Sequence, residues 1–113
     1  MEQHYKLDRV RELADNDADF IKSLAEAFLD EVPEDAERLK KAVSEQDFFN
    51  TYQAAHKMKP TIDLFELGVL QDLIVVQDWG KFERVGEDCS TELQHVLTAV
   101  ENATAELKQD FSL

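Results

Sequence analysis

A histidine followed closely by two lysines is the part of this sequence best suited to chemistry. The stretch AAHKMKPTIDL, residues 54–64, carries His56, Lys57 and Lys59, and Pro60 follows one helical turn after the histidine. Residues 48–62 contain no acidic side chain, although the whole chain has 25 acidic and 12 basic residues. A partly exposed imidazole in such a locally positive segment is suited to receiving an anionic group. The alternative is that His56 is a boundary residue with a structural donor and acceptor.

The other candidate residues offer weaker chemistry. His95 follows Glu92 at the Glu-x-x-His spacing that some helical bundles use for iron or manganese, but the chain has no second pair of this kind. A metal site at Glu92 and His95 is therefore the third hypothesis for function. His4 lies in a polar stretch and is predicted to be a solvated surface residue. The single cysteine, Cys89, can form no internal disulfide and makes a zinc site improbable.

An independent enzyme active site is not predicted. No serine or cysteine stands in a nucleophile motif, and the chain has no glycine-rich phosphate loop. The net charge of −13 argues against nucleic-acid binding and against binding to an anionic membrane surface. The longest apolar run, Leu73 to Val76, is too short to span a bilayer, and the start MEQHYKLDR has no signal-peptide core. A cytoplasmic protein is expected.

Composition predicts a single helical domain covering residues 1–113. The chain is 43% hydrophobic and 33% charged, which suits one globular core with a charged surface. Three glycines and two prolines provide few turns, whereas an all-β fold needs a turn signal every 8–12 residues or so.

The first half of the chain predicts two helices. The segment Lys6 to Ala14 is a short one, with Leu7, Val10 and Leu13 on one face. After the cap-forming NDAD, residues 16–19, apolar residues recur every three or four positions from Phe20 to Val43. Because this phase is kept on both sides of Pro33, one kinked helix is favoured. Two helices, with Pro33 opening the second, are the alternative.

The second half predicts three further helices. Asp47 caps a helix from Phe48 to about Leu67, and Gly68 ends it. Residues 69–77 are predicted to be a buried helix, since a lone strand would have no partner. Residues 78–88 form a connector with at most a helical turn near Phe82 and Val85, and the last helix covers residues 91–110.

These elements predict an all-α fold, an antiparallel four-helix bundle preceded by a short N-terminal helix.

On a helical wheel the apolar side chains of the third helix form one arc that must face the core. His56 falls beside that arc, toward solvent. Pro60 lacks an N–H group, so in a continuing helix the carbonyl of His56 has no donor.

The stretch AHKMKPT, residues 55–61, resembles the signature of histidine-containing phosphotransfer (HPt) domains. In that signature a histidine is followed by any residue, an apolar residue, a lysine, a glycine or proline, and a small residue. Residues 20–47 are similar to the family's long second helix, including its Phe-Leu-x-Glu-x-Pro run. The resemblance covers most of residues 7–75, and the last third agrees only in helix pattern. Proline at position 60 is the variant associated with stand-alone members.

The resemblance implies a phosphorelay intermediate without independent catalytic activity. A phosphoryl group would pass from an aspartate of one receiver domain to Nε2 of His56 and then to an aspartate of a second receiver. Lys59 would stabilise the phosphoryl oxygens. The receiver would supply Mg²⁺, so this chain would need no cofactor. The implied partners are response-regulator receiver domains, a hybrid sensor histidine kinase, or both.

The resemblance also implies a docking face around the histidine. Its members are predicted to be Tyr52, Gln53, Lys57, Pro60, Asp63 and Leu64. Asp63 and Glu66 stand where many members have a second small residue, which bears on how closely a receiver approaches. A monomer suffices for this role. The alternative function is a degenerate HPt-like adaptor that binds a receiver without carrying phosphate.

Overall fold

Helices make up all the regular secondary structure of residues 4–113, the part of the chain that the computed structural model describes. The five helices are α1 (Asp8–Leu13), α2 (Ala18–Ser44), α3 (Phe48–Leu64), α4 (Leu70–Lys81) and α5 (Ser90–Asp110). The all-helical prediction is confirmed, including the helix at residues 69–77. α2 packs against α3 and α5, α4 packs against the same two helices, and α1 contacts α2. One hydrophobic core cluster contains residues from all five helices.

Helix α2 runs without a break through Pro33. Its N-cap, Asp17, accepts hydrogen bonds from the amides of Asp19 and Phe20 at 3.0 and 3.3 Å, which satisfies two otherwise unpaired donors. The prediction of a single helix is confirmed, and the alternative of two helices is wrong. A continuous apolar face, with Phe28, Val32 and Leu39 buried, keeps both sides of the proline on the same core.

Helix α3 begins at the predicted cap. The Asp47 carboxylate accepts the backbone N–H of Asn50 at 3.1 Å and its side-chain amide at 2.6 Å. These two bonds, the side-chain one first, hold the pKa of Asp47 below its ordinary value. Arg38 of α2 donates to the Asn50 side-chain oxygen at 3.0 Å, so the cap is also tied to the neighbouring helix.

Helix α3 ends earlier than predicted. It stops at Leu64, and Glu66, the residue after the C-cap Phe65, takes the left-handed conformation of a helix end, with φ of 50°. Gly68 also has a positive φ, 79°, but lies two residues beyond that position. The amide of Leu67 bonds to the carbonyl of Ile62 at 3.3 Å, and both side chains are buried. With the bond from the amide of Glu66 to the carbonyl of Asp63 at 3.1 Å, this is the hydrogen-bond pattern of a Schellman cap. Leu67 prolongs the apolar pattern without prolonging the helix, which is why the predicted end at Leu67 was wrong.

Helix α4 is longer than predicted. Its final turn contains Trp79, which is buried, stacks against Phe48 with ring centroids 4.7 Å apart and donates Nε1–H to the carbonyl of Glu87 at 2.9 Å. Residues 82–88 form turns, and the Phe82 and Val85 side chains are exposed. The predicted connector at residues 78–88 therefore begins only at Phe82, because α4 extends through Gly80 to Lys81.

The N-terminal segment closes one end of the helical assembly. Tyr5 and Leu7 are buried, and the amide of Lys6 donates to the carbonyl of Phe65 at 2.8 Å. Leu13, predicted on the apolar face of α1, is instead 60% exposed. Among residues 4–113, no helix combines the length and apolar character needed to cross a membrane.

Candidate functional site

The candidate site lies midway along α3, on the side of that helix that faces solvent. The opposite side of α3 is buried and consists of Thr51, Ala54, Ala55, Met58 and Ile62. His56 is exposed, which confirms the orientation predicted from the helical wheel. The ring of Tyr52, one turn earlier, lies beside the imidazole with the two centroids 5.5 Å apart.

The three histidines differ in their partners. The His4 ring contacts the carboxylate of Glu106, and Nδ1 of His95 lies 3.3 Å from Oδ1 of Asp72. Within residues 4–113, no hydrogen bond or ion pair holds the imidazole of His56. The ring nitrogens of His56 are therefore accessible to a reacting group.

The two lysines near His56 are in different electrostatic states. Lys57 places its Nζ 3.1 Å from Oδ1 of Asp35 on α2, and the Asp35 side chain is only 10% exposed. A buried carboxylate needs such a partner, so much of the Lys57 charge is compensated by its own chain. Lys59 is half-buried and forms no ion pair with any residue from 4 to 113. Lys59 is thus the lysine beside His56 whose charge is available to an incoming anion.

Residues in the C-terminal part of the predicted docking face form contacts with other parts of the same chain. Arg9 of α1 binds Asp63 with Nη1 and Oδ1 2.7 Å apart, and its Nε lies 3.8 Å from Glu66. Leu64 is half-buried and packs against the core.

Pro60 is exposed within the continuous α3, so no α-helical N–H bonds the carbonyl of His56. The docking role of these residues stays a prediction.

The N-terminal part of the face borders an open groove of about 450 Å³ between α3 and α4. From α3 the groove is lined by Phe48, Phe49, Tyr52 and Gln53, and from the α4 side by Gly80, Lys81 and Glu83. The Phe49 side chain is 69% exposed. Sequence reasoning missed Phe49. The signal was present in the FF pair at the start of α3, because consecutive helical residues point about 100° apart and the apolar arc that contains Phe48 leaves Phe49 outside it.

Sequence reasoning also missed Asp35 and Arg9. Neither stands in a motif, and each is separated by more than twenty residues from the α3 residue that it contacts. The only sequence signal for Asp35 is its place immediately before Ala36 in the apolar face of α2.

The described residues give the metal hypothesis little support. No group of three or more His, Cys, Asp or Glu side chains among residues 4–113 is arranged to hold an ion. His95 instead contacts Asp72 of α4, and Oε2 of the neighbouring Glu92 is buried without a hydrogen-bond partner among those residues.

We expect the thiol of Cys89 to react slowly in the folded protein. Cys89 is 3% exposed, and burial, followed by the charges of Glu92 and Asp88, raises its pKa above that of an ordinary cysteine. Since the thiolate is the reactive form, reaction with an aromatic disulfide reagent at pH 8 should be more than about tenfold slower than in urea. Equal rates in the two conditions would contradict this expectation.

Comparisons of the chain with protein-family models, with curated proteins and with solved structures found no match. Function is therefore inferred from the chain's own residues and from the motif at residues 55–61.

Proposed function

We propose that this protein is a histidine phosphotransfer protein of a two-component phosphorelay. The observation that carries the proposal is the exposed His56, which has no hydrogen bond or ion pair among residues 4–113, with Lys59, also without an ion pair there, one turn further along α3. The motif around it resembles the HPt signature. The other two histidines are each in contact with a carboxylate.

The fold that we propose with this function is an antiparallel four-helix bundle of α2 to α5. Contacts between α2 and α3 support opposite directions for these two helices. Asp35 meets Lys57, whereas Phe28, earlier in α2, stacks on Phe65, just beyond the end of α3, with centroids 5.0 Å apart. Each of the four helices packs against two of the others, as in such a bundle.

The proposed reaction is an in-line transfer between a receiver aspartate and His56. The lone pair of Nε2 attacks the phosphorus of the aspartyl phosphate, an N–P bond forms, and the P–O bond to the aspartate breaks, which releases its carboxylate. Nδ1 keeps its proton during this step. The reverse step passes the group to an aspartate of a second receiver. Such transfers depend mainly on positioning and charge stabilisation, and Lys59 offsets part of the phosphoryl charge.

Phosphoryl transfer from a receiver domain tests the proposal directly. Receiver domains from the source organism, phosphorylated with acetyl phosphate and Mg²⁺, are mixed with the intact chain. We expect a label on this chain that is lost in acid and kept in base, and mass spectrometry should locate it at His56. Binding of a phosphorylated receiver without any label would favour the adaptor alternative, and a label on another residue would contradict the proposal.

We expect Lys59→Ala to slow the transfer without unfolding the protein. Loss of the uncompensated ammonium one turn from His56 removes charge stabilisation of the transferred group. The decrease in rate should be about 10- to 100-fold. This is at or below the loss of about 100- to 1000-fold in kcat when one hydrogen-bond donor is removed from a closed active site, because the site around His56 is open to water. Rapid-quench measurement of label transfer checks this, and circular dichroism checks the fold.

Lys22→Ala is the matched control, since Lys22 is an exposed lysine of α2 outside the candidate site. Its transfer rate should stay within about twofold of the wild-type rate, as is usual for a distant surface substitution. An unchanged rate in Lys59→Ala would remove Lys59 from the site.

A further inference from the structure

We propose that the receiver docks toward the N-terminal half of α3 and inserts an apolar side chain into the groove between α3 and α4. This inference rests on the proposed function and identifies where its partner binds. It differs from the docking face predicted from the sequence, which extends toward Pro60, Asp63 and Leu64.

Phe49 marks the N-terminal end of this surface. It lies seven residues before His56, which is two turns or about 10 Å along the helix, and on the same side of it. Its 69% exposed ring leaves a large apolar area in water at the edge of the groove. Tyr52 lies between Phe49 and His56. It lines the groove and contacts the imidazole, with centroids 5.5 Å apart. The groove and the phosphoacceptor histidine thus form one continuous surface.

The absence of a side chain at Gly80 lets the backbones of α3 and α4 meet at the floor of the groove. A Cβ atom at position 80 would lie 2.7 Å from the carbonyl oxygen of Phe48 and 2.9 Å from the amide nitrogen of Tyr52. The helices α3 and α4 therefore meet here through their backbones. The groove that remains above this contact, about 450 Å³, has room for an apolar side chain from outside.

Charge identifies the partner as an acidic face. Residues 48–62 carry no acidic side chain in a protein of net charge −13, and Lys59 in this segment has no ion-pair partner among residues 4–113. On the α4 side of the groove the charges of Lys81 and Glu83 offset each other. A receiver that presents an aspartyl phosphate brings the negative charge of the phosphoryl group, which complements this segment. A second copy of this chain is less suitable, because its net charge would repel the first. At the other end of α3, Asp63 already has an ion-pair partner in Arg9.

The kinetics of transfer from the receiver to Phe49→Ala test this surface. The receiver domain with the highest kcat/KM for the intact wild-type chain is used at varied concentration. Truncation of an interface aromatic costs about 10- to 100-fold in affinity, so KM for the phosphorylated receiver should rise at least about tenfold. We expect kcat to stay within about twofold, because Phe49 does not touch the reacting atoms.

Two controls accompany this variant. Phe49→Leu keeps an apolar side chain at the groove and should retain a KM within about threefold of the wild-type value. Phe20→Ala removes an exposed aromatic of α2, 47% exposed and not part of the groove, and should leave KM unchanged.

Treatment of the wild-type chain with phosphoramidate separates the two proposals, because this small donor needs no docking surface. If phosphoramidate labels His56 and Phe49→Ala keeps the wild-type KM, the groove proposal is overturned and the phosphotransfer function stands. If neither phosphoramidate nor any receiver labels His56, the phosphotransfer function fails, and the docking proposal fails with it.

Discussion

The substitution His56→Gln is expected to abolish phosphoryl labelling of this protein completely. Glutamine has a similar size and can form similar hydrogen bonds, but its amide nitrogen has no available lone pair to attack phosphorus. His56 is exposed and makes no described hydrogen bond or ion pair, so its replacement should leave the free energy of unfolding within about 0.5 kcal/mol of the wild-type value. Loss of label can then be assigned to loss of the nucleophile. The measurement is label per mole of protein after incubation with a phosphorylated receiver.

His95→Gln is the matched control for His56→Gln. Both histidines are exposed helical residues, but His95 contacts the carboxylate of Asp72. The control should take up label at the wild-type level. Full labelling of the His56 variant would sink the assignment of His56, and loss of labelling in both variants would show that the exchange of any histidine perturbs the protein.

Local sequence signals predicted the elements that carry the site. The cap at Asp47 and the unbroken apolar face of α2 depend on residues a few positions apart, and both predictions are confirmed. The outward orientation of His56 follows from the same helical period. These features could be found from sequence because the physics that sets them is contained within one helix.

Contacts between helices cannot be predicted from the sequence pattern of a single helix. The Lys57 ammonium was expected at the docking face, but it lies 3.1 Å from the buried carboxylate of Asp35. Asp63 was assigned to the same face and is paired with Arg9. Sequence spacing specifies which side of a helix a residue occupies, but not which side chain of another helix will meet it. The ion pairs of Lys57 with α2 and of Asp63 with α1 could therefore not be predicted from the sequence of α3.

The residue that ends α3 could not be predicted from local preference alone. Glycine is the usual residue in the left-handed position that ends a helix, and Gly68 was chosen for this reason. Gly68 does have a positive φ, 79°, but the residue in the capping position is Glu66, with φ of 50°. The hydrogen bond from Leu67 to Ile62 and the burial of both side chains offer a compensating stabilisation for the conformational cost at Glu66. A tertiary packing energy thus outweighed a local preference.

Gly80 was assigned to a connector, and its position in the last turn of α4 leads to the second large expected effect. We expect Gly80→Ala to lower the free energy of unfolding by about 2 kcal/mol, as overpacking of a close contact typically costs about 1–3 kcal/mol. The new Cβ would lie 2.7 and 2.9 Å from backbone atoms of Phe48 and Tyr52, which cannot move as a flexible side chain can. Urea denaturation measures the effect. A corresponding decrease in melting temperature of about 8 °C is expected for a domain of this size.

The sign of this effect distinguishes packing from helix propensity. At an exposed helical position alanine is more stable than glycine by about 1 kcal/mol, and Ala105→Gly, at an exposed residue of α5, should show this ordinary preference. Both variants should therefore be less stable than the wild type, although they exchange the same two residues in opposite directions. If Gly80→Ala instead stabilises the protein, α3 and α4 do not meet through their backbones. The groove beside Tyr52 would then lack the floor on which the docking proposal depends.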